Sequence, residues 1–192
     1  MVTRPQTLFT HERGNRCRSQ FSARAIPYLD GQAHDHAGIV HRAGISSGRA
    51  SPQARFGVHL CLGDACDGPV VSALPTTSPI IAAIEAIGLA LDRPEALEYV
   101  HFPLASGPTP PALEPRLYHP LAALRGVLPE DTQIIAGLAH ERQSLSEQLR
   151  VLDLVEIAIG EPVGIAASCG LARRTPGLAV HVMRRMIELA SA

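Results

Sequence analysis

From residue 56 onward, short apolar runs alternate with segments of helical periodicity. The runs are apolar without strict alternation, which is typical of strands in a parallel sheet that is covered on both faces. They end in glycine or in polar residues, the usual punctuation of a buried strand. Four strands are predicted on this basis, over residues 55–63, 97–105, 132–140 and 162–170.

Capping signals mark the helices between these strands. Ser144 and Glu147 have the spacing of a capping box, and Gly160 is the residue type that ends a helix after Ile159. The remaining helical signals are Ser78 as N-cap with Pro79 at the first helical position, a short helix through residues 121–126, and Thr175 with Pro176 at the start of the last helix.

The strand–helix alternation predicts an α/β fold. Each strand–helix unit takes about 35 residues, which is the usual length of a β/α unit in a (β/α)8 TIM barrel. Eight units would need about 250 residues. Only four units are visible in the 192 residues, so the pattern predicts half of a TIM barrel. A complete four-stranded α/β layer is the structural alternative.

Residues 1–55 have a different character and show no sustained period. They are rich in Gly, Ser, Ala, Arg and His, a composition that predicts a low-complexity, disordered leader before a domain over residues 56–192. All 17 basic residues of the chain are arginine. GC-rich DNA that is translated out of frame encodes sequences of similar composition. A degenerate or mis-framed leader is therefore one hypothesis, and a truncated, inactive gene product is its consequence.

Charge and hydropathy limit the partners. The net charge is −1 and the arginines are scattered, so the sequence gives no case for nucleic acid as a partner. There is no apolar stretch long enough to span a bilayer and no apolar core of a signal peptide. We therefore expect a cytoplasmic protein, in which reduced cysteines act as ligands, catalysts or core residues.

Chemistry-bearing residues fall where the predicted strands end. His59 and Cys61 lie two apart, so their side chains share one strand face, while His140 and Cys169 close two later strands. Zinc accepts imidazole and thiolate, and a catalytic site pairs three protein ligands with an open position. Ordinary buried thiols are the alternative, since free cysteine is among the most buried residue types.

Three motifs in this order, "VHLCLGD", "GLAH" and "ASCGLARR", resemble the C-terminal catalytic domain of cobalamin-independent methionine synthase. The resemblance covers residues 56–192 and implies the last four units of a barrel that is shared with uroporphyrinogen decarboxylase. It implies zinc ligands at His59, Cys61 and Cys169, with His140 helping to protonate the leaving group. The implied reaction moves a methyl group from a folate-type or other donor to a small-molecule thiol of the homocysteine type.

The chain departs from that family in two respects. The methionine synthases supply a glutamate ligand from the intervening strand, which here reads "EYVHFPLAS", with Glu98 at its start and His101 further along. His101 is either a substitute ligand or a wall residue. The first half of the barrel also has no counterpart, so a homodimer or a partner chain would have to complete it. A zinc-free, decarboxylase-like lyase or small-molecule binder is the alternative function.

Overall fold

The computed structural model describes residues 55–60, 64–65, 68–69, 76–91, 93–172 and 174–192. The leader predicted for residues 1–55 lies outside this range except for Arg55, and Cys61 also lies outside it.

Four parallel strands form the main sheet, in the spatial order β1-β4-β5-β6. A short antiparallel pair, β2 with β3, follows β1 in a stretch that the sequence pattern leaves as a loop. The strands are β1 Phe56–His59, β2 Asp64–Ala65, β3 Gly68–Pro69, β4 Leu97–Pro103, β5 Gln133–Ala139 and β6 Gly164–Ala167.

Helices connect consecutive strands of the sheet and follow the last one. Because each connection joins neighbouring parallel strands, the chain runs across the sheet in one direction. The helices are α1 Ser78–Ala90, α2 Leu124–Val127, α3 Leu145–Ile159 and α4 Pro176–Ala190, with single 3-10 turns at Pro94–Ala96, Pro115–Leu117 and His119–Ala123. The described residues thus confirm an α/β fold with a parallel sheet.

Among the described residues, one face of the sheet and the four helices share one hydrophobic core. Val100 and Phe102 of β4 and Leu138 of β5 are almost fully buried there, and they alternate with residues of the opposite face. From the helices, the core receives Ile84 and Val155, which have at most 1% of their surface exposed. Strand alternation therefore leaves a second sheet face that is available for polar side chains.

The helix boundaries agree with the capping signals except at α1. Ser144 caps α3 in a full capping box with Glu147, and Gly160 ends it with φ 86°. At α1 the prediction is one residue off, since Thr77 rather than Ser78 is the N-cap. The Thr77 hydroxyl donates to the Leu117 carbonyl at 2.7 Å, so a tertiary hydrogen bond competes for this cap side chain.

None of the described helices has the length and apolar character needed to cross a membrane.

The capping box gives a direct stability prediction. Ser144→Ala removes the hydroxyl that accepts from the Glu147 N–H at 3.2 Å. Asp153→Asn, at an exposed position further along the same helix, is its control. We expect Ser144→Ala to lower the free energy of unfolding by about 1 kcal/mol, and the control to change it by about half of that or less. Urea denaturation followed by circular dichroism measures both. Equal effects would contradict a specific cap.

Candidate functional site

The carboxyl edge of the parallel sheet gathers the residues that the sequence singles out. His59 is the last residue of β1, His140 follows β5 directly, and Cys169 comes two residues after β6. Since parallel strands end at a common edge, these residues belong to one end of the sheet. Cys61, the fourth predicted site residue, lies outside the described residues.

His59 meets a second histidine that the sequence pattern left as a wall residue or substitute ligand. β1 and β4 pair in parallel with His59 opposite His101, so both rings project from the same face. Their Nδ1 atoms lie 2.8 Å apart, and the ring centroids are 4.6 Å apart at an angle of 38°. The Leu60 N–H extends the pairing by donating to the His101 carbonyl at 2.8 Å. Register therefore determines the contact.

His101 has room for its buried ring because Gly137, two residues beyond its register partner Ile135 on β5, has no side chain. A Cβ on Gly137 of β5 would lie 2.9 Å from Nε2 of His101 and 2.8 Å from the Cα of Ser168. The ring thus lies over Gly137 and reaches toward the chain that follows β6. Only 5% of His101 is exposed. Its Nε2 makes no hydrogen bond of good geometry to a described residue.

Burial and, next, the neighbouring His59 lower the pKa of His101 to about 4. The backbone of Ala167 and the thiol of Cys169 act in the opposite direction. Cys169 is a half-buried thiol at the same edge of the sheet. His101 is consequently a neutral imidazole near pH 7.

Within the described residues, no group of three or more His, Cys, Asp or Glu side chains is arranged to hold a metal ion. The predicted ligand set includes Cys61, which lies outside these residues. The structure therefore brings His59 and His101 into contact and Cys169 into their vicinity, and the complete predicted set is not described.

His140 is fully buried, and the protein itself uses both of its ring nitrogens. Nε2 lies 3.2 Å from the carbonyl oxygens of Ser106 and of Gly107, so this nitrogen carries the proton and donates it. Nδ1 accepts from the Arg142 N–H at 3.1 Å. Burial is the main cause that lowers the pKa of His140, although Glu141 acts against it. The ring is therefore a neutral link between the loop after β4 and the loop after β5.

Gln148 of α3 fixes the backbone of His140. Its side-chain oxygen accepts from the His140 N–H at 3.0 Å, and its amide donates to the carbonyls of His140 at 2.8 Å and Gln143 at 2.7 Å. Gln148 is fully buried, so these three bonds satisfy groups that water cannot reach. The sequence contained one signal for this role, a glutamine on the apolar side of an otherwise amphipathic helix.

An ion pair joins the two loops that follow β5 and β6. The Arg174 guanidinium donates from Nε to Glu141 at 2.9 Å, and both side chains are largely buried. Burial alone would raise the pKa of Glu141, but its hydrogen bonds and Arg174 lower it overall. The pair holds the segment that carries Cys169 against the end of β5.

Comparison with known proteins yields no match, whether with family models, with curated proteins or with solved structures.

Gln148→Leu tests whether the buried amide supports the strand end. The leucine fills similar space but leaves the N–H and the carbonyl of His140 without the amide, each costing about 1–3 kcal/mol. The Gln143 carbonyl keeps its bond from Arg185 at 2.7 Å. We expect the free energy of unfolding to fall by about 3 kcal/mol or more in urea denaturation. Gln133→Leu, at an exposed position of β5, is the matched control and should change it little. A Gln148→Leu variant as stable as the control would refute the role.

Gly137→Ala tests the space under His101. The added Cβ overlaps the ring and the backbone, so we expect a loss of about 1–3 kcal/mol and displacement of the imidazole. Long-range proton–nitrogen NMR should show altered ring nitrogen shifts for His59 and His101. Gly126→Ala, where the added methyl meets open space, is the control and should leave these signals unchanged. Unchanged signals in Gly137→Ala would mean that the glycine is incidental.

Proposed function

We propose that the chain is a zinc-dependent, methionine synthase-like methyltransferase that acts on a small-molecule thiol of the homocysteine type. Its sheet corresponds to the C-terminal half of a (β/α)8 barrel, which a second copy or another chain would complete. A folate-type molecule or another methyl donor supplies the group. The proposal includes a cytoplasmic location and does not involve nucleic acid or membrane partners.

Topology supports the barrel part of the proposal. In a (β/α)8 barrel, parallel strands follow one another around the sheet in chain order, and the four described strands do the same. The predicted site residues also lie at the carboxyl edge, where such barrels carry their chemistry. A doubly wound sheet would reverse its strand order partway, and the described sheet does not.

The His59–His101 contact is the observation that most supports a zinc site in the proposed function. Nitrogens of two ligands on tetrahedral zinc are about 3.3 Å apart when each Zn–N bond is about 2.05 Å. The observed 2.8 Å between the two Nδ1 atoms is about 0.5 Å shorter, so the rings would have to move apart to admit an ion. Imidazole nitrogens next to a nearby thiol are the donor chemistry that zinc prefers. His59, Cys61 and Cys169 would hold the ion, as the resemblance implies.

Zinc bound there would lower the pKa of an acceptor thiol, so that the thiol enters the reaction deprotonated near neutral pH. The sulfur then attacks the methyl carbon of the donor. The S–C bond forms as the donor's bond to that carbon breaks, and the electron pair stays on the donor, which takes up a proton. The ion pair of Glu141 with Arg174 keeps the Cys169 segment in place during this transfer.

His140 receives a different role from the one that the resemblance implies. A proton donor to the leaving group needs a ring nitrogen that reaches the substrate. In the structure both ring nitrogens are used by the loops after β4 and β5. We therefore assign His140 to positioning: it holds the Ser106–Gly107 backbone against the end of β5.

A metal-free site is the second candidate, and the same contact favours it. Two neutral imidazoles at 2.8 Å make an ordinary N–H···N hydrogen bond if one Nδ1 is protonated. The residues at the carboxyl edge of the sheet would then belong to a decarboxylase-like lyase or to a small-molecule binder.

Metal content separates these candidates. The full chain, produced with zinc and purified without chelators, should retain a single zinc ion, because structural and catalytic zinc sites bind tightly. Cys61→Ser and Cys169→Ser should each lose it, while Cys66→Ser, the control thiol, should keep it. The zinc-loaded chain should then methylate homocysteine from a methyl-folate donor, as measured by mass spectrometry of the product.

Each result decides between named alternatives. Folded protein without zinc would favour the metal-free lyase or binder. Zinc that persists in a Cys61→Ser/Cys169→Ser double variant would overturn the ligand assignment. Zinc binding without methyl transfer from any donor would fit the inactive gene product. An absence of both zinc and cooperative unfolding would fit a fragment.

A further inference from the structure

The hydrogen bond between His59 and His101 can form in two directions. Two Nδ1 atoms at 2.8 Å make a hydrogen bond when one of them carries a proton and the other offers a lone pair. In a neutral imidazole the second nitrogen then takes the opposite state. The surroundings of Nε2 of His101 therefore decide which of the two rings donates.

Nε2 of His101 lies inside the sheet, over Gly137 and toward the end of β6. A Cβ on Gly137 would lie 2.9 Å from this nitrogen and 2.8 Å from the Cα of Ser168. Because His101 is buried, the protein rather than water has to suit the proton state of this nitrogen.

Two described neighbours of this nitrogen offer it no proton. The Ser168 hydroxyl donates to the Gly137 carbonyl at 2.9 Å, so its proton is already used. The backbone of Ala167 favours the charged form of the His101 ring, as a carbonyl next to a ring N–H does, although the contact lacks the geometry of a full hydrogen bond. A lone pair on Nε2 would face this carbonyl, so Nε2 of His101 carries the proton.

The direction of the His59–His101 bond follows from that proton. With Nε2 protonated, Nδ1 of His101 has the lone pair and accepts, so Nδ1 of His59 donates. Nε2 of His59 then keeps a lone pair. Since His59 is exposed and His101 is buried, the pair presents an acceptor nitrogen to solvent at the carboxyl edge of the sheet.

The sheet also fixes the direction in which that nitrogen points. His101 lies opposite His59 of β1 and opposite Ile135 of β5, so strands on both sides hold its backbone. The Leu60 N–H donates to the His101 carbonyl and continues the pairing past His59. A ring that is bonded through Nδ1 to a partner held in this way has a defined orientation at Nε2.

We propose that His101 is a positioning residue that holds His59 with its proton on Nδ1, so that Nε2 of His59 is the open acceptor nitrogen of the pair. The inference goes beyond the proposed function, because it holds with or without a metal ion. The ligand of such a nitrogen is an electron-pair acceptor. In the methyltransferase this is zinc, and in the metal-free candidate it is a hydroxyl or thiol proton of the substrate. Neither ligand requires the two rings to move apart.

Long-range proton–nitrogen NMR of the full, nitrogen-15-labelled chain at neutral pH, before zinc is added, is the first test. It distinguishes a ring nitrogen that carries a proton from one with a lone pair, and His59→Gln identifies the His59 signals by their loss. We expect the proton on Nδ1 of His59 and on Nε2 of His101. The reverse assignment, or averaged nitrogen signals for His59, overturns the proposal. The unaltered chain gives this result, so it does not depend on the folding of a variant at His101.

Two substitutions of His101 test its positioning role in the same spectrum. Asparagine keeps an acceptor oxygen near the place of Nδ1, whereas leucine keeps the bulk without an acceptor. We expect His59 to stay protonated on Nδ1 in His101→Asn and to show the averaged signals of a free imidazole in His101→Leu. His119→Leu, at an exposed position, is the control and should leave the His59 signals unchanged. If His59 in folded His101→Leu keeps its proton on Nδ1, the positioning role is refuted. Circular dichroism establishes the fold of each variant.

Addition of zinc to the wild-type chain separates the two ligands. A shift of the Nε2 signal of His59, with the proton retained on Nδ1, supports the open nitrogen with zinc as its ligand. Unchanged His59 signals leave the tautomer established and favour a substrate proton, which counts against the proposed zinc chemistry alone. Loss of the Nδ1 proton on zinc binding would place the ion between the rings and overturn the inference.

Discussion

Parallel pairing in chain order is the constraint on which the site depends. It brings the carboxyl ends of β1, β4, β5 and β6 to one edge, although His59 and Cys169 are far apart in sequence. The pairing of β1 with β4 sets His59 directly opposite His101. A shift of one residue would turn every side chain of a strand to the other face, so the register that buries Val58 and Val100 also places the two histidines together.

The two faces of the sheet have different roles. One face joins the hydrophobic core with all four helices, and burial of that area is the main source of stability. The opposite face carries histidine rings where glycines make room for bulky neighbours. Gly57 lies under the ring of Tyr99, and Gly137 lies under His101. Small residues beside large ones let this face hold polar side chains at close range.

A buried polar network stabilises the strand end next to the site. Gln148 and His140 together satisfy backbone groups of the loops after β4 and β5, and both ring nitrogens of His140 have partners. A network of this kind is rigid when it is complete, because losing one member leaves the others desolvated and unpaired. The arrangement makes His140 a link between the loops after β4 and β5.

The sequence by itself determined the local elements. Apolar runs located the strands of the main sheet, and the capping box of Ser144 with Glu147 and the helix end at Gly160 were readable because each involves residues within one turn. The helix start at Thr175 and Pro176 was readable for the same reason. The cap of α1 was off by one residue because the Thr77 hydroxyl bonds to a loop that is distant in sequence.

Tertiary structure alone decided which strand-end residues meet. His101 looked like a wall residue or a substitute ligand, and its contact with His59 depends on a register between strands separated by a helix. His140 looked like a proton donor, and its burial depends on loops contributed by two other segments. Such contacts arise from long-range pairing and from desolvation, which local spacing does not encode, because the partners are adjacent only after the sheet has formed.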